Sequence, residues 1–557
     1  MKKLLFFSAI LLTCASLIIG CNAPTVTPVK PAAPATPTTP VIPTTPAITP
    51  VTTTTSTAPA TTKPATPAKT AVPAGPIYGG TVRWIEPNPP GQPIGTLWEG
   101  PFMHPCMAMC FEPLLNGLVD GTFLPWMATS YELSADPKNP SVTFKLRKGV
   151  KLHDGTDYNA QLVKWNIQKI KDSGLSASAR YYKTIEAKDD YTLAIELSEW
   201  RNSLMPAFAR GQHYVVSREA FEKNGIDWLR WHMVGTGPFR QIDFQRDVSV
   251  TLVRNDDYWD KGKPYLEKIQ YIFVADEMTR VALLRTGGAE VLNCASSGRV
   301  ASELQSKGFN ISSQVSGASC LFPDSNNADS PWANLKVRQA AEYAINKDEI
   351  AKAFGFGYWK AAPQVPSPAA PAYVPGIGDG RKYDPAKAKQ LLTEAGFPNG
   401  FKNKIIAQSS ANRDVVVALQ SFLNTVGIQT DLDFVEPSKY TEVQNKGWNN
   451  GLLFVSWGLE GNINPSVGSN FPPVRTGRFM VVKNPPNWAE VYQASNTAPA
   501  VDPKLFQNEA KAIYDDVMVI PIYWETALYA LNPKLQDHGL GTRNPGDWYP
   551  QNAWLSK

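Results

Sequence analysis

Residues 22–76 hold 14 prolines and 17 threonines, with three lysines, no acidic residue and no aromatic. Proline fixes φ and removes a backbone donor, and so few aliphatic side chains cannot offset the entropy of ordering the chain. The segment therefore reads as an extended tether of the polyproline kind, reaching on the order of 170 Å at about 3.1 Å per residue. Any packed core has to come from residue 77 onward. A body of 481 residues exceeds what one hydrophobic core organises, so two or three lobes are expected. The formal charge of +5 resides wholly in Lys2, Lys3, Lys30, Lys63 and Lys69. Without them the body is balanced, 49 basic against 49 acidic side chains, and lacks the basic excess a nucleic-acid partner would need.

Ahead of the tether, Lys2 and Lys3 precede an apolar run from Leu4 to Ile19, broken only by Ser8, Thr13, Cys14 and Ser16. Its length and positive flank suit an export signal rather than a spanning helix. The run ends Ile18-Ile19-Gly20-Cys21, which resembles the bacterial lipobox, where the signal is cut and the cysteine thiol acylated. Cys21 is thus the expected lipidation site. It would hold the protein by a lipid anchor at the outer face of the cytoplasmic membrane or in the periplasm. No later stretch reaches the roughly 18 apolar residues a membrane span needs.

The body mixes two periodicities. Val142, Phe144 and Leu146 alternate with polar neighbours, as do Leu193, Ile195 and Leu197, and Val248, Val250 and Leu252. Period two with β-branched content reads as strands. Over 384–395 the pattern is helical: Asp384 caps, Pro385 fits the first turn, and Gly396 ends it. A second helix is expected over 413–426, with Gly427 as terminator, feeding a strand that carries Ile428, Thr430, Leu432 and Phe434. A helix feeding a strand in this way is half of an α/β unit.

The body's cysteines are Cys106, Cys110, Cys294 and Cys320. Export permits disulfides. Cys106 and Cys110 share one helical face, where disulfide geometry is poor. Cys294 with Cys320 is the better pair, and buried thiols are the alternative. The run from Phe102 through Met103, His104 and Cys106 to Cys110 gathers soft donors that could suit Cu(I). The same residue types also serve as adaptable packing or as a pocket wall. No second histidine lies nearby, so no metal and no cofactor is assigned. The chain holds no H-E-x-x-H, no G-x-S-x-G and no G-x-x-x-x-G-K-[ST], so catalysis is not expected.

Seven motifs occur in one order. They are Gly121 to Gly155 (with LRKG and HDG), Val234 to Phe239 (VGTGPF) with Leu252 to Asn255, and Val337 to Ile345. Tyr383 to Gly396, Gly427-Ile428, Ser456-Trp457 and Val519 to Tyr523 (VIPIY) follow. In this order the body resembles the family 5 extracellular solute-binding proteins of ABC importers, the oligopeptide-, dipeptide- and nickel-binding group. The resemblance implies an α/β periplasmic-binding-protein-like type II fold, two lobes with a hinge plus an extra subdomain. It divides the chain into lobe I (77–113, 210–295 and 516–557), the extra subdomain (114–209) and lobe II (296–515). His153 and Asp154 fall in the family's structural turn.

In peptide-binding relatives an Asp three residues after a Trp takes the ligand's α-ammonium. Here Glu460 stands at that place after Trp457, with the spacing to Pro465 one residue longer. The resemblance makes Glu460 the ammonium reader, Trp457 an apolar wall, and Ser456, Asn462 and Tyr523 pocket residues. Phe102, Met103 and His104 would contribute from the first lobe. The implied partners are a small solute or peptide and the ABC permease subunits with their ATPase, and the protein would act as a monomer.

Overall fold

Where side chains alternate, strands form and bury one face. In Ser141–Leu146 and Thr192–Leu197, every residue of the two predicted triplets is buried. The third triplet begins one residue late. The strand is Ser249–Arg254, and Val248 is 53% exposed in the hairpin turn after Asp247, which has a φ of 61°. Both expected helices are present, as Pro385–Glu394 and Arg413–Thr425. Asp384 accepts from the Lys387 amide at 2.8 Å, and the Asn412 side chain accepts from the Asp414 and Val415 amides. Gly427, with φ +97°, then turns the chain into a strand that starts at Ile428.

This computed structural model describes residues 75–99, 104–118, 120–474, 477–541 and 548–557. Cys21, the tether, Phe102 and Met103 lie outside the described residues. Among the described residues no helix is long and apolar enough to cross a membrane.

The main sheet has eleven strands, ten of which are numbered here in chain order. They are β1 (Thr81–Glu86), β2 (Phe239–Gln245), β3 (Ser249–Arg254), β4 (Lys268–Phe273) and β5 (Val291–Asn293). Then follow β6 (Asn310–Pro323), β7 (Phe401–Gln408), β8 (Ile428–Val435), β9 (Gly451–Trp457) and β10 (Ile520–Leu531). Their spatial order is β8-β7-β9-β6-β10-β5-β1-β4-β3-β2, and the short strand Lys360–Ala361 pairs with β10. β1 runs parallel to β4 and β5, and β7 runs parallel to β8 and β9. The long antiparallel pair β6 and β10 joins these two parallel blocks.

One end of the β6–β10 pair meets β5 through Leu531, Ala530 and Tyr529, and the other meets β9 through Ala318 to Pro323. Between the two ends the register shifts twice, at Val315/Gly317 and at Ser319/Cys320. Such bulges bend a strand and sharpen its twist. At Gly317 a Cβ atom would stand 3.0 Å from the Trp457 carbonyl oxygen and 3.1 Å from the Gly458 Cα, so a side chain there would crowd the backbone.

The blocks are buried on both faces, as parallel sheets require. Val82 and Trp84 of β1 enter one core and Ile85 the other. In β9, Leu452 and Phe454 face one core while Leu453, Val455 and Trp457 face the opposite one. A separate four-stranded antiparallel sheet, Ala128–Ser134, Ser141–Leu146, Thr192–Leu197 and Tyr182–Asp189, has its own core with the helix Ala160–Ser173.

Of the two states open for Cys294 and Cys320, a bridge or buried thiols, the structure has the thiols, both free and buried. They enter different cores, Cys294 with Ile85, Leu284 and Leu304, and Cys320 with Phe322, Val455 and Met518. Cys106 and Cys110 are also free and buried.

Candidate functional site

Strand parity builds the candidate site. On β10, Tyr523 and Glu525 share one face while Trp524 points to the other, where its indole donates to the Val365 carbonyl at 3.1 Å. On β9, Phe454 and Ser456 share the face of Tyr523 and Glu525. Ser319 of β6 lies between them, the register partner of both Ser456 and Tyr523.

Three strands far apart in sequence thus bring two hydroxyls to one carboxylate. The Ser319 hydroxyl donates to Oε1 of Glu525, and the Ser456 hydroxyl donates to Oε2 at 2.6 Å. Tyr523 stacks on Trp359 with ring centres 4.2 Å apart and planes 7° from parallel. Burial pushes the Tyr523 phenol up, well out of its ordinary range.

These groups open into a cavity of about 730 Å³. One side is formed by Gln408 at the end of β7 and by Ser410 to Asn412, which lead into the helix Arg413–Thr425. The other side is formed by Ala295 to Arg299, which follow β5 and enter the helix Gly298–Ser306. Ala295 and Ser296 take φ values of 49° and 62°, a left-handed turn that brings the chain sharply round after β5. Ligands of open α/β sheets bind outside the carboxyl ends of the strands, which is where this cavity lies. Aromatic rings wall it, among them Phe354, Phe356, Trp359, Tyr440 and Phe454. Its charged side chains are Glu277, Asp414, Glu525 and Arg299. Arg299 is bonded to Glu277.

Of the residues expected from sequence, Ser456 and Tyr523 line this cavity. Trp457, adjacent to Ser456, turns to the opposite face by strand parity. It is 4% exposed, its indole donates to the Ser466 hydroxyl at 2.8 Å, and its ring meets Phe471 and Phe322 edge-on. Glu460 follows in the loop after β9 and is already engaged, accepting from the Ser367 amide at 3.0 Å and from its hydroxyl at 2.7 Å. Burial raises its pKa, and these two bonds oppose the rise. Asn462 donates to the Asn202 carbonyl at 3.1 Å, tying the same loop to the segment after Thr192–Leu197. That segment also reaches Ser495 and Asn464 through the Asn202 side chain.

His104 sits apart from the cavity. Its Nδ1 lies 3.1 Å from the Cys106 thiol and its ring packs edge-on against Phe273 and Tyr271. Burial lowers its pKa to about 4, so the imidazole is neutral at physiological pH. Among the described residues no three His, Cys, Asp or Glu side chains gather in a metal-ligating cluster. His153 and Asp154 are consumed by structure: the imidazole lies 3.0 Å from the Gly237 carbonyl, and Asp154 accepts from the Ser217 hydroxyl.

Glu525, Trp359 and Arg299 escaped the sequence reading. The signal for Glu525 was there, since it stands two residues beyond Tyr523 in an alternating strand.

A sheet whose two parallel blocks share one antiparallel pair, with a cavity over that pair, has the α/β fold of the periplasmic-binding-protein type II class. Solved structures agree on the fold. NikA from Brucella suis in complex with Fe(III)-EDTA superposes with a TM-score of 0.75 at 21% identity, over 86% of this chain and 100% of that one. DppA from Helicobacter pylori in complex with the peptide STSA gives 0.70 at 21% identity, over 86% and 99%. The sequence profile of "Bacterial extracellular solute-binding proteins, family 5 Middle" matches residues 122–478. The glutathione-binding protein GsiB of Escherichia coli O1:K1 / APEC is 30% identical over 430 residues, 73% of this chain and 82% of that protein. The chain belongs to family 5 of the bacterial extracellular solute-binding proteins.

Proposed function

We propose that the protein is the extracytoplasmic solute-binding lipoprotein of an ABC importer, capturing a peptide and delivering it to the permease subunits and their ATPase. The observation that carries this reading is the cavity of about 730 Å³ over the β6–β10 pair, within the volume range of small-ligand sites. Relatives described as binding glutathione and a short peptide support a peptide as the cargo.

The chain divides into lobe I (77–113, 210–295 and 516–557), an extra subdomain (114–209) and lobe II (296–515). A ligand that touches both lobes favours the closed arrangement by its differential affinity, with β6 and β10 as the hinge. Glu460, in the loop after β9 and outside the cavity's lining, receives the peptide's α-ammonium on the lone pairs that its two bonds from Ser367 leave free. Ser456 and Tyr523 line the pocket, and Asn462 and Trp457 support the Glu460 loop. Cys21 carries the lipid, and the tether lets a monomeric body reach outward from the membrane. The protein binds without catalysing and needs no cofactor.

Thermal unfolding against di- to hexapeptides, oligosaccharides and nickel chelates tests the reading. A peptide at a hundredfold excess over its Kd should stabilise the fold by about 2.7 kcal/mol. The effect should be lost on N-acetylation and in Glu460→Ala. A response confined to sugars or chelates would sink the peptide assignment.

A further inference from the structure

The carboxylate between Ser319 and Ser456 is built into the sheet yet has no counter-ion. Each of its oxygens accepts one hydroxyl proton, from Ser319 and from Ser456, which leaves half of its lone-pair sites free for another donor. Among the described residues no lysine or arginine forms an ion pair with Glu525. The cavity's basic side chain, Arg299, is bonded to Glu277 and also lies 3.9 Å from Glu303. With Arg299 balancing Glu277, the cavity keeps two uncompensated acids, Glu525 and Asp414. The rings around them, with Trp359 and Tyr523 stacked beside the carboxylate, present π-faces that attract cations and repel anions.

At the two helix starts on the cavity, Ser297 takes the Val300 amide and Asn412 takes the Asp414 and Val415 amides. A positive group from outside is what the site lacks.

We propose that Glu525 is the counter-ion for a cationic group of the ligand, an ammonium or guanidinium, so that the cavity selects peptides with a basic side chain. This rests on the peptide reading above and adds a second charge requirement to it, separate from the α-ammonium at Glu460. A neutral side chain of the same length would leave a carboxylate facing an apolar ligand, which low-dielectric sites penalise strongly.

The full-length protein in detergent is titrated with four probes: Ala-Lys-Ala, Ala-norleucine-Ala, N-acetyl-Ala-Lys-Ala and agmatine. The lysine peptide should bind at least about tenfold more tightly than the norleucine peptide. Glu525→Gln, which keeps the shape of the side chain, should erase that difference while leaving the loss on N-acetylation intact. An unchanged melting temperature of the unliganded variant shows that the fold is kept. Equal binding of the two peptides by the unmodified protein overturns the proposal and leaves the peptide reading standing. A lysine preference that survives Glu525→Gln overturns the assignment to this residue. Agmatine binding that Glu525→Gln abolishes, with no peptide bound, supports the cation site and sinks the peptide reading. Silence from all four probes overturns the proposal.

Discussion

Glu112 is a buried carboxyl group whose titration should be readable in the stability of the whole fold. It lies in the interior, accepting from the Tyr258 hydroxyl at 2.7 Å and from the indoles of Trp126 and Trp259 at 3.0 Å. Burial disfavours its charged form and raises its pKa from 4.5 to about 7, although the three donors pull the other way. Between those two values the unfolded chain has lost the proton and the folded chain still holds it. The unfolded state therefore binds fewer protons, and stability falls as pH rises through this window. The whole loss is about 3 kcal/mol, complete once the pH passes 7.

Glu112→Gln removes the titration. Its amide leaves one added donor to be satisfied, a cost that does not depend on pH. Urea unfolding of both proteins at pH 4 and pH 8 separates the two effects, because every other titrating group is shared and cancels. The stability of the variant relative to the parent should rise by about 3 kcal/mol from the lower to the higher pH. An equal difference at both pH values would refute the argument that burial controls this carboxyl group.

Two further outcomes follow from packing. The described body should show four free thiols in denaturant and none in the native state, by reaction with a chromogenic disulfide, since Cys106, Cys110, Cys294 and Cys320 are buried and unpaired. Two fewer thiols in denaturant would restore the Cys294–Cys320 bridge. Gly317→Val should cost about 1–3 kcal/mol in urea unfolding, because its side chain meets the backbone of Trp457 and Gly458. Unaltered stability would mean that β6 and β9 do not approach as closely as described.

What the sequence disclosed depended on how far a signal reaches along the chain. The helix Pro385–Glu394 was legible because its cap, its first-turn proline and its terminator all lie within thirteen residues. Val248 was misread because alternation continues across a turn that only the pairing of β2 with β3 locates. The pocket was harder for the same reason. Ser456 and Trp457 were both named as candidates, but neighbours in a strand face opposite ways, so no more than one of them could enter the cavity. Glu525 becomes recognisable as a site only when β6 sets Ser319 between β9 and β10, a pairing no local pattern encodes. For Cys294 and Cys320 the sequence left both a bridge and buried thiols open, and only their separate cores decide for the thiols.

The unbroken run of strands across both blocks has a mechanical consequence. Proteins whose halves are joined by loose linkers can lose one half while the other stays folded. Here β6 pairs with β9 on one side and with β10 on the other, and β10 pairs in turn with β5, so melting either block exposes an edge of the pair that joins them. Heat or denaturant should therefore dissolve the sheet as one unit, and a fragment cut away at this seam would present a raw edge and aggregate rather than persist as a domain.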